Sequence, residues 1–189
     1  MKIAYITPWF KTNPREAWFQ VVWDFFESRW IKPVFVDIEW ERKTMKDYVR
    51  QFKEKIISLD DEIYVLWFSF WAMVACIAAS ELDIEAIFLC SLSPFFSDDL
   101  PNIKKWWMSM NGKRRNEEFR NLSFDMLSSN INCKTYILAW DKEWPEIMHR
   151  ATEALRLIKW SELHVIENTR HNINERRYLE TLEYLINKL

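Results

Sequence analysis

Short apolar segments alternate with amphipathic helical segments along the chain, and this alternation constrains the fold more than any other feature. The strand-like segments are rich in β-branched and aromatic residues, whereas the segments between them carry apolar residues at 3/4 spacing. The predicted strands cover residues 2–7, 33–38, 63–66, 86–92, 135–139 and 163–166. Such alternation indicates βαβ units. We therefore expect an α/β fold, a three-layer αβα sandwich with a mainly parallel sheet of about six strands.

Composition excludes several classes of protein. The chain has 189 residues, of which 49% are hydrophobic, so it is too apolar to be disordered and is predicted to form one domain over residues 1–189. A net charge of −2 provides no basic face for nucleic acid. The 3 Cys are an odd number and lie far apart, which favours neither a disulfide framework nor a metal site. Without a signal-peptide segment at the start, we expect a cytoplasmic protein.

A charge-free run over residues 63–80 is long enough to raise the alternative of a membrane span. Acidic residues flank it on both sides, whereas a cytoplasmic boundary is usually basic. Its first half is β-branched and aromatic, and its second half is rich in alanine. A buried strand that runs into a buried helix, over residues 70–80, explains this composition better than a membrane span.

Residues that directly follow the predicted strands are the candidates for chemistry, because sites in parallel sheets form at the carboxyl ends of the strands. Ser69 follows the third strand and precedes the alanine-rich helix. A serine on such a sharp turn has the geometry of a nucleophile elbow, and the helix N-terminus behind it can stabilise an oxyanion. The alternative is a serine that only caps the helix.

An acidic pair and a histidine follow later strands. Asp141 and Glu143 come after the fifth strand, where they could instead stabilise the start of the next helix. His171 comes after the sixth strand, whereas His149 and His164 fall within a predicted helix and a predicted strand. The order Ser, acid, His along the chain is that of a hydrolase triad.

These motifs resemble those of the α/β-hydrolase superfamily, and the resemblance covers nearly the whole chain. The family's G-x-S-x-G signature stands here as W-F-S-F-W around Ser69, and its G-x-x-D/E acid pattern stands as W-D-K-E, ending at Glu143. The first antiparallel strands of larger members are missing. Residues 93–130 occupy the place of the family's cap and are expected to form a small helical insert.

The resemblance implies a serine hydrolase that cleaves a carboxylic ester or thioester of a small-molecule substrate. Ser69 would be the nucleophile, His171 the base and Glu143 the acid, with Asp141 as the second candidate for the acid. No organic cofactor and no metal would take part.

Further residues are assigned by the same resemblance. The backbone N–H groups of Phe10 and Phe70 would form the oxyanion hole. Apolar residues after the fourth strand would line the substrate pocket, with Phe95, Phe96 and Trp106 as candidates, although they could equally form a small core of their own.

A nucleotide-binding alternative has little support. The first βα turn lacks the G-x-G-x-x-G motif. The basic run Lys113, Arg114 and Arg115 is interpreted as a solvated helix face rather than a phosphate site.

Tryptophan stands where the family has glycine. The chain contains 1 Gly and 12 Trp, although average usage predicts about 13 Gly. Several Trp occupy positions where turns or helix ends favour glycine, namely Trp9, Trp30, Trp67, Trp71, Trp140, Trp144 and Trp160. We hypothesise that many of them are glycine codons, UGA, translated with the wrong code table. The alternative is an aromatic-rich natural protein.

The tryptophans at the elbow also bear on function. Two indoles at Trp67 and Trp71 are expected to hold strand and helix apart, so that a Gly form would react with a serine-directed probe and the Trp form would react weakly or fold poorly. If the Trp are genuine, the alternative function is a catalytically impaired hydrolase-fold protein that acts as an interaction or scaffold module.

Overall fold

A computed structural model describes residues 1–7, 17–58 and 60–189. Its strands form one six-stranded sheet in the order β2-β1-β3-β4-β5-β6, and every neighbouring pair is parallel. The strands are β1 (Lys2–Ile6), β2 (Lys32–Phe35), β3 (Glu62–Phe68), β4 (Ala86–Cys90), β5 (Lys134–Trp140) and β6 (Ser161–Ile166). The predicted α/β class and parallel sheet are confirmed.

Helices connect the strands and cover both faces of the sheet. They are α1 (Ala17–Ser28), α2 (Met45–Lys55), α3 (Phe70–Ala79), α4 (Lys105–Asn111), α5 (Lys113–Phe119), α6 (Phe124–Ser128), α7 (Pro145–Leu157) and α8 (Arg176–Ile186), with a 3₁₀ turn at Leu100–Asn102. Helices α1 and α8 share one buried apolar core with the sheet, and α2, α3 and α7 share the other. The result is three layers, as parallel strands require.

The charge-free run divides between β3 and α3. Both elements are buried along nearly their whole length, because β3 is a central strand and α3 packs between β4 and α2. Small alanines on α3 allow this close packing. In the described part of the chain, no helix has the length and apolar character needed to cross a bilayer.

The segment between β4 and β5 is helical and is fastened to α7 by a buried ion pair. Arg150 on α7 donates from Nε to Asp99 Oδ2 at 2.9 Å and from Nη2 to Asp99 Oδ1 at 2.5 Å. The Arg150 guanidinium also lies 4.2 Å from the centre of the Phe124 ring. This pair fixes the segment over the carboxyl ends of the strands.

Candidate active site

The chain leaves the sheet in the same way after three neighbouring strands. The first residue beyond each strand donates its N–H to a carbonyl of the next strand in the sheet. These bonds run from Ser69 to Cys90 at 2.7 Å, from Ser91 to Leu138 at 2.7 Å and from Asp141 to Ile166 at 3.1 Å. The side chains that follow are therefore gathered at one edge of the sheet.

Ser69 lies on a strained turn between β3 and α3. Its backbone has φ +51° and ψ −121°, a combination that residues with a side chain rarely adopt. Helix α3 begins at the next residue, Phe70, so the first N–H groups of the helix lie beside the serine. A strained turn that leads from a strand into a helix is what the nucleophile-elbow interpretation of Ser69 expects.

The two tryptophans that flank Ser69 are packed in the core, and the expectation that they hold strand and helix apart stays a prediction. Trp67 is fully buried, donates from Nε1 to the Tyr5 carbonyl at 3.1 Å and lies 4.7 Å from the Phe52 ring. Trp71 is also buried, with its ring 5.1 Å from that of Tyr48. Both indoles pack toward α2, and the strained turn at Ser69 forms beside them.

The tryptophans at other positions where glycine is expected differ in exposure and backbone conformation. Trp30 is almost fully exposed and has φ +58°, a conformation that favours glycine. Trp160 was expected to require the same conformation at the end of a helix, but it is not among the described residues with positive φ. Trp9 lies outside the described residues.

His171 is paired with Glu143. Its Nδ1 lies 2.6 Å from Glu143 Oε1, and the carboxylate is fully buried. The rings of Trp140 and Trp144 lie 4.8 and 5.6 Å from the imidazole. Because these indoles exclude water from the pair, they strengthen its electrostatic attraction.

Asp141 has a different position from Glu143. Its carboxylate is exposed and accepts hydrogen bonds from the backbone N–H groups of Asn168 and Thr169 at 2.8 and 3.1 Å. The bond from Asn168 is the main cause that lowers the pKa of Asp141. Asp141 therefore holds the loop between β6 and α8 that carries His171, while Glu143 is the carboxylate against the imidazole.

Ser91 is a site residue that the sequence reasoning missed. It is fully buried, has φ +56°, donates from Oγ to Glu143 Oε1 and lies 3.2 Å from His171 Nδ1. The signal was available, because Ser91 directly follows β4 just as Ser69 follows β3. Serine is common in loops, so only its place at a strand end distinguishes it.

Ser69 and His171 line the same cavity. Among the described residues, the hydrogen-bond partner of Ser69 Oγ is Ser93 Oγ at 3.5 Å, and Ser69 and His171 are not directly hydrogen-bonded. Nucleophile and base are often farther apart in a free enzyme than in its substrate complex. The structure thus brings Ser69, His171 and Glu143 to one edge of the sheet without a closed hydrogen-bond chain.

The cavity has a volume of about 470 Å³ and is mostly aromatic. Phe95 and Trp106 line it, as does the Phe70 side chain. The assignment of Phe96 to the pocket is wrong: Phe96 is fully buried, and its ring lies 4.9 Å from that of Phe124, because it faces the ion pair that fastens the segment to α7. Phe10 lies outside the described residues.

Metal binding has no candidate cluster in the described part of the chain, where no group of three or more His, Cys, Asp or Glu is placed to hold an ion. Cys76, Cys90 and Cys133 are unpaired and buried, and burial raises the pKa of Cys76 and Cys90 to about 12. These thiols are therefore poor nucleophiles and poor metal ligands at neutral pH.

Comparison with solved structures identifies the fold. No family model matches the sequence, and no curated protein sequence is significantly similar to it. Est1E from Butyrivibrio proteoclasticus matches with a TM-score of 0.79 at 10% identity, covering 99% of this chain and 87% of Est1E. A second structure of that protein contains ferulic acid.

Two further structures agree with this result. Mouse alpha/beta hydrolase domain-containing protein 10 matches with a TM-score of 0.73 at 11% identity, covering 99% of this chain and 88% of the other. An esterase from Pyrococcus furiosus matches with a TM-score of 0.66 at 14% identity, covering 99% and 80%. The chain has the α/β-hydrolase fold.

Proposed function

We propose that this chain is a serine hydrolase that cleaves a carboxylic ester or thioester. Ser69 Oγ attacks the carbonyl carbon while His171 takes its proton, and the alcohol or thiol leaves with that proton. Water then attacks the acyl-serine, gives a proton to His171, and the acid is released as Ser69 regains its hydrogen. Glu143 orients the imidazole and stabilises its charged form.

One observation carries this proposal. The buried Glu143–His171 pair opens onto the cavity that Ser69 also lines, and Ser69 lies on a strained turn between strand and helix, which supports its role as the nucleophile. A buried carboxylate without a positive partner is costly, so its pairing with an imidazole that lines the same cavity as Ser69 favours acyl transfer over a purely structural role.

The oxyanion would be stabilised at the start of α3. The N–H of Phe70 belongs to the first turn of this helix, where donors have no partner within the helix and the dipole is positive. The second donor remains assigned to the backbone of Phe10 by resemblance to the family.

The cavity supports an apolar acyl or alkyl group on a small-molecule substrate. Its walls include the rings of Phe70, Phe95, Trp106 and Trp107. Its volume lies in the range of sites that enclose a small molecule. Ferulic acid in Est1E is an aromatic acid, which adds support for an aromatic or long apolar group here.

The test is covalent labelling with a fluorophosphonate probe, followed by mass spectrometry of the labelled peptide. The wild-type chain is expected to be labelled at Ser69, and Ser69→Ala to lose both labelling and nitrophenyl-ester hydrolysis. Ser97→Ala is the matched control, because Ser97 lies after β4 but does not line the cavity. Labelling that persists in Ser69→Ala, or folded wild-type protein that is never labelled, contradicts the proposal and favours the scaffold function.

A further inference from the structure

Among the described residues that line the aromatic cavity, one is an arginine. Arg115 on α5 is half-buried there, although the run 113–115 was interpreted as a solvated helix face. Lys113 and Arg114 are exposed, as that interpretation expects. Arg115 differs because it lines the cavity, beside the Tyr48 ring and the backbone of Trp40.

The Arg115 guanidinium is held in a fixed position. Its Nε donates to the Lys43 carbonyl at 3.0 Å, its Nη2 donates to the Trp40 carbonyl at 2.8 Å, and its Cζ lies 5.7 Å from the centre of the Tyr48 ring. A guanidinium has five N–H donors, so these two bonds leave others for a ligand. The group is thus pre-organised, and little conformational entropy is lost when it binds.

Among the described residues, the hydrogen-bond partners of Arg115 are backbone carbonyls rather than a carboxylate, and no Asp or Glu lines the described cavity wall. Arg150, by contrast, is fully buried and is paired through two nitrogens with Asp99. A positive charge in an apolar wall is costly unless a negative group compensates it. At Arg115, the compensating group is therefore expected to come from the ligand.

We propose that the cavity takes substrates with a second, anionic group, namely esters whose apolar or aromatic stem ends in a carboxylate that Arg115 binds. This inference rests on the proposed function, since it names the substrate class of the same site. A carboxylate suits a guanidinium because the two planar groups pair through two parallel hydrogen bonds. A phosphate, with more charge, would be poorly neutralised by this one cation.

The positions of the rings define where the stem lies. Tyr48, under the guanidinium, is 6.1 Å from the ring of Phe70, and Phe70 adjoins Ser69. The stem would run from the reacting carbonyl at Ser69, past Phe70 and Tyr48, to Arg115. Its apolar atoms would pack against these rings while the two polar ends of the substrate meet the serine and the arginine.

The experiment compares two esters that differ only at the far end, the nitrophenyl half-ester of suberic acid and nitrophenyl octanoate. For the wild-type protein, kcat/KM is expected to be about 10- to 100-fold higher for the half-ester than for the octanoate. This factor corresponds to the binding free energy that a hydrogen bond to a charged group contributes. Arg115→Gln keeps an N–H donor but removes the charge, and it should bring this ratio close to one. Arg114→Gln, an exposed neighbour, is the matched control and should keep the ratio.

A second measurement separates the two proposals. The Ser69→Ala protein is titrated with the methyl half-ester of suberic acid and with methyl octanoate, and binding is followed by the fluorescence of the cavity tryptophans. Half-ester binding that is stronger than octanoate binding, and that is lost in Ser69→Ala/Arg115→Gln, supports the carboxylate site even if no ester is hydrolysed. If octanoate is hydrolysed through Ser69 but the half-ester is neither preferred nor sensitive to Arg115→Gln, the inference is overturned and the proposed function stands.

Discussion

Ser91 adopts a backbone conformation that costs free energy, and its side chain lies where Glu143 and His171 meet. The hydroxyl satisfies the same carboxylate oxygen that faces the imidazole. In the described structure, the other oxygen, Glu143 Oε2, is buried without a hydrogen-bond partner. Ser91 is therefore placed to fix the carboxylate, and through it the orientation of the imidazole, without touching the substrate.

The variant Ser91→Gly separates this positioning role from stability. Glycine accepts φ +56° without strain, so the free energy of unfolding should not fall, whereas loss of the hydrogen bond to a charged group should lower kcat by about 10-fold or more. KM should change little, because Ser91 does not line the cavity. Ester kinetics across pH and thermal unfolding measure both effects.

A merely structural Ser91 would give a different result. In that case, kcat and its pH profile would be unchanged in Ser91→Gly, and the positioning role would be rejected. Asn168→Gly provides the control, because Asn168 also has positive φ but donates from its backbone to Asp141.

Individual site residues were predictable where one rule sufficed. The rule that sites form beyond strand ends pointed to Ser69, which directly follows β3, and to His171, which lies in the loop between β6 and α8. The rule could not decide between Asp141 and Glu143, because both residues follow β5 and only two positions separate them. Their side chains nevertheless contact different partners. That choice depends on the path of the loop between β6 and α8, which local pattern does not encode.

At the scale of elements, the Asp99–Arg150 pair joins the segment between β4 and β5 to α7. Both side chains are buried, and burial is the main cause that raises the pKa of Asp99, while Arg150 opposes that shift. Replacing either residue by an uncharged one leaves the charge of the other buried and unpaired.

Arg150→Met is expected to lower the free energy of unfolding by about 3–5 kcal/mol, because Asp99 would remain buried and unpaired. The double variant Arg150→Met/Asp99→Leu should recover most of this loss, since an apolar pair carries no desolvation cost. Denaturant unfolding measures both.

The matched control is Arg156→Met on the same helix, which breaks an exposed pair with Glu153 and should cost no more than about 1 kcal/mol. A double variant no more stable than Arg150→Met alone would contradict this account of the ion pair.

How well each strand and helix can be predicted from the sequence depends on its length. The six strands are predictable as short, nearly continuous apolar runs, and the long helices are predictable from their 3.6-residue period. Helices α4, α5 and α6 span only two turns or fewer, too short for a period to stand out. Their packing depends on long-range partners such as Arg150, and Phe96 was consequently assigned to the wrong side.

Across the whole molecule, the tryptophans divide by environment. Trp67 and Trp140 are fully buried, with Trp140 stacked 4.6 Å from Tyr178, whereas Trp30 is 91% exposed with φ +58°. At Trp67 and Trp140 the indole is thus part of the core, whereas Trp30 has a left-handed backbone conformation that glycine adopts most easily. The codon hypothesis remains a prediction, and UGG codons at Trp67, Trp71, Trp140 and Trp160 would contradict it.

Glycine substitutions should therefore have opposite effects at two positions. Trp67→Gly removes a fully buried side chain and should lower the free energy of unfolding by about 3–5 kcal/mol or more. Trp30→Gly should raise it by about 1 kcal/mol, because it relieves left-handed strain at an exposed residue. Denaturant unfolding of both variants provides the measurement.

A Trp67→Gly protein that is more stable than the parent, and labelled faster by the fluorophosphonate probe, would contradict the stabilising role of the buried Trp67 indole. That result would support the original steric expectation and the codon hypothesis together. Trp160→Gly serves as the neutral comparison, because Trp160 is largely exposed and lacks positive φ.

The groups at the edge of the sheet come from distant parts of the chain. Ser91 meets Glu143 across 52 residues and His171 across 80 residues, and parallel strands connect them only through long crossovers. Short stretches of the folding chain cannot assemble this cluster. The proposed chemistry at Ser69 requires the whole cluster. The fraction of molecules that react with a serine probe therefore reports the fraction in which β3, β4, β5 and β6 have all paired. Probe labelling would thus serve as an assay of complete folding.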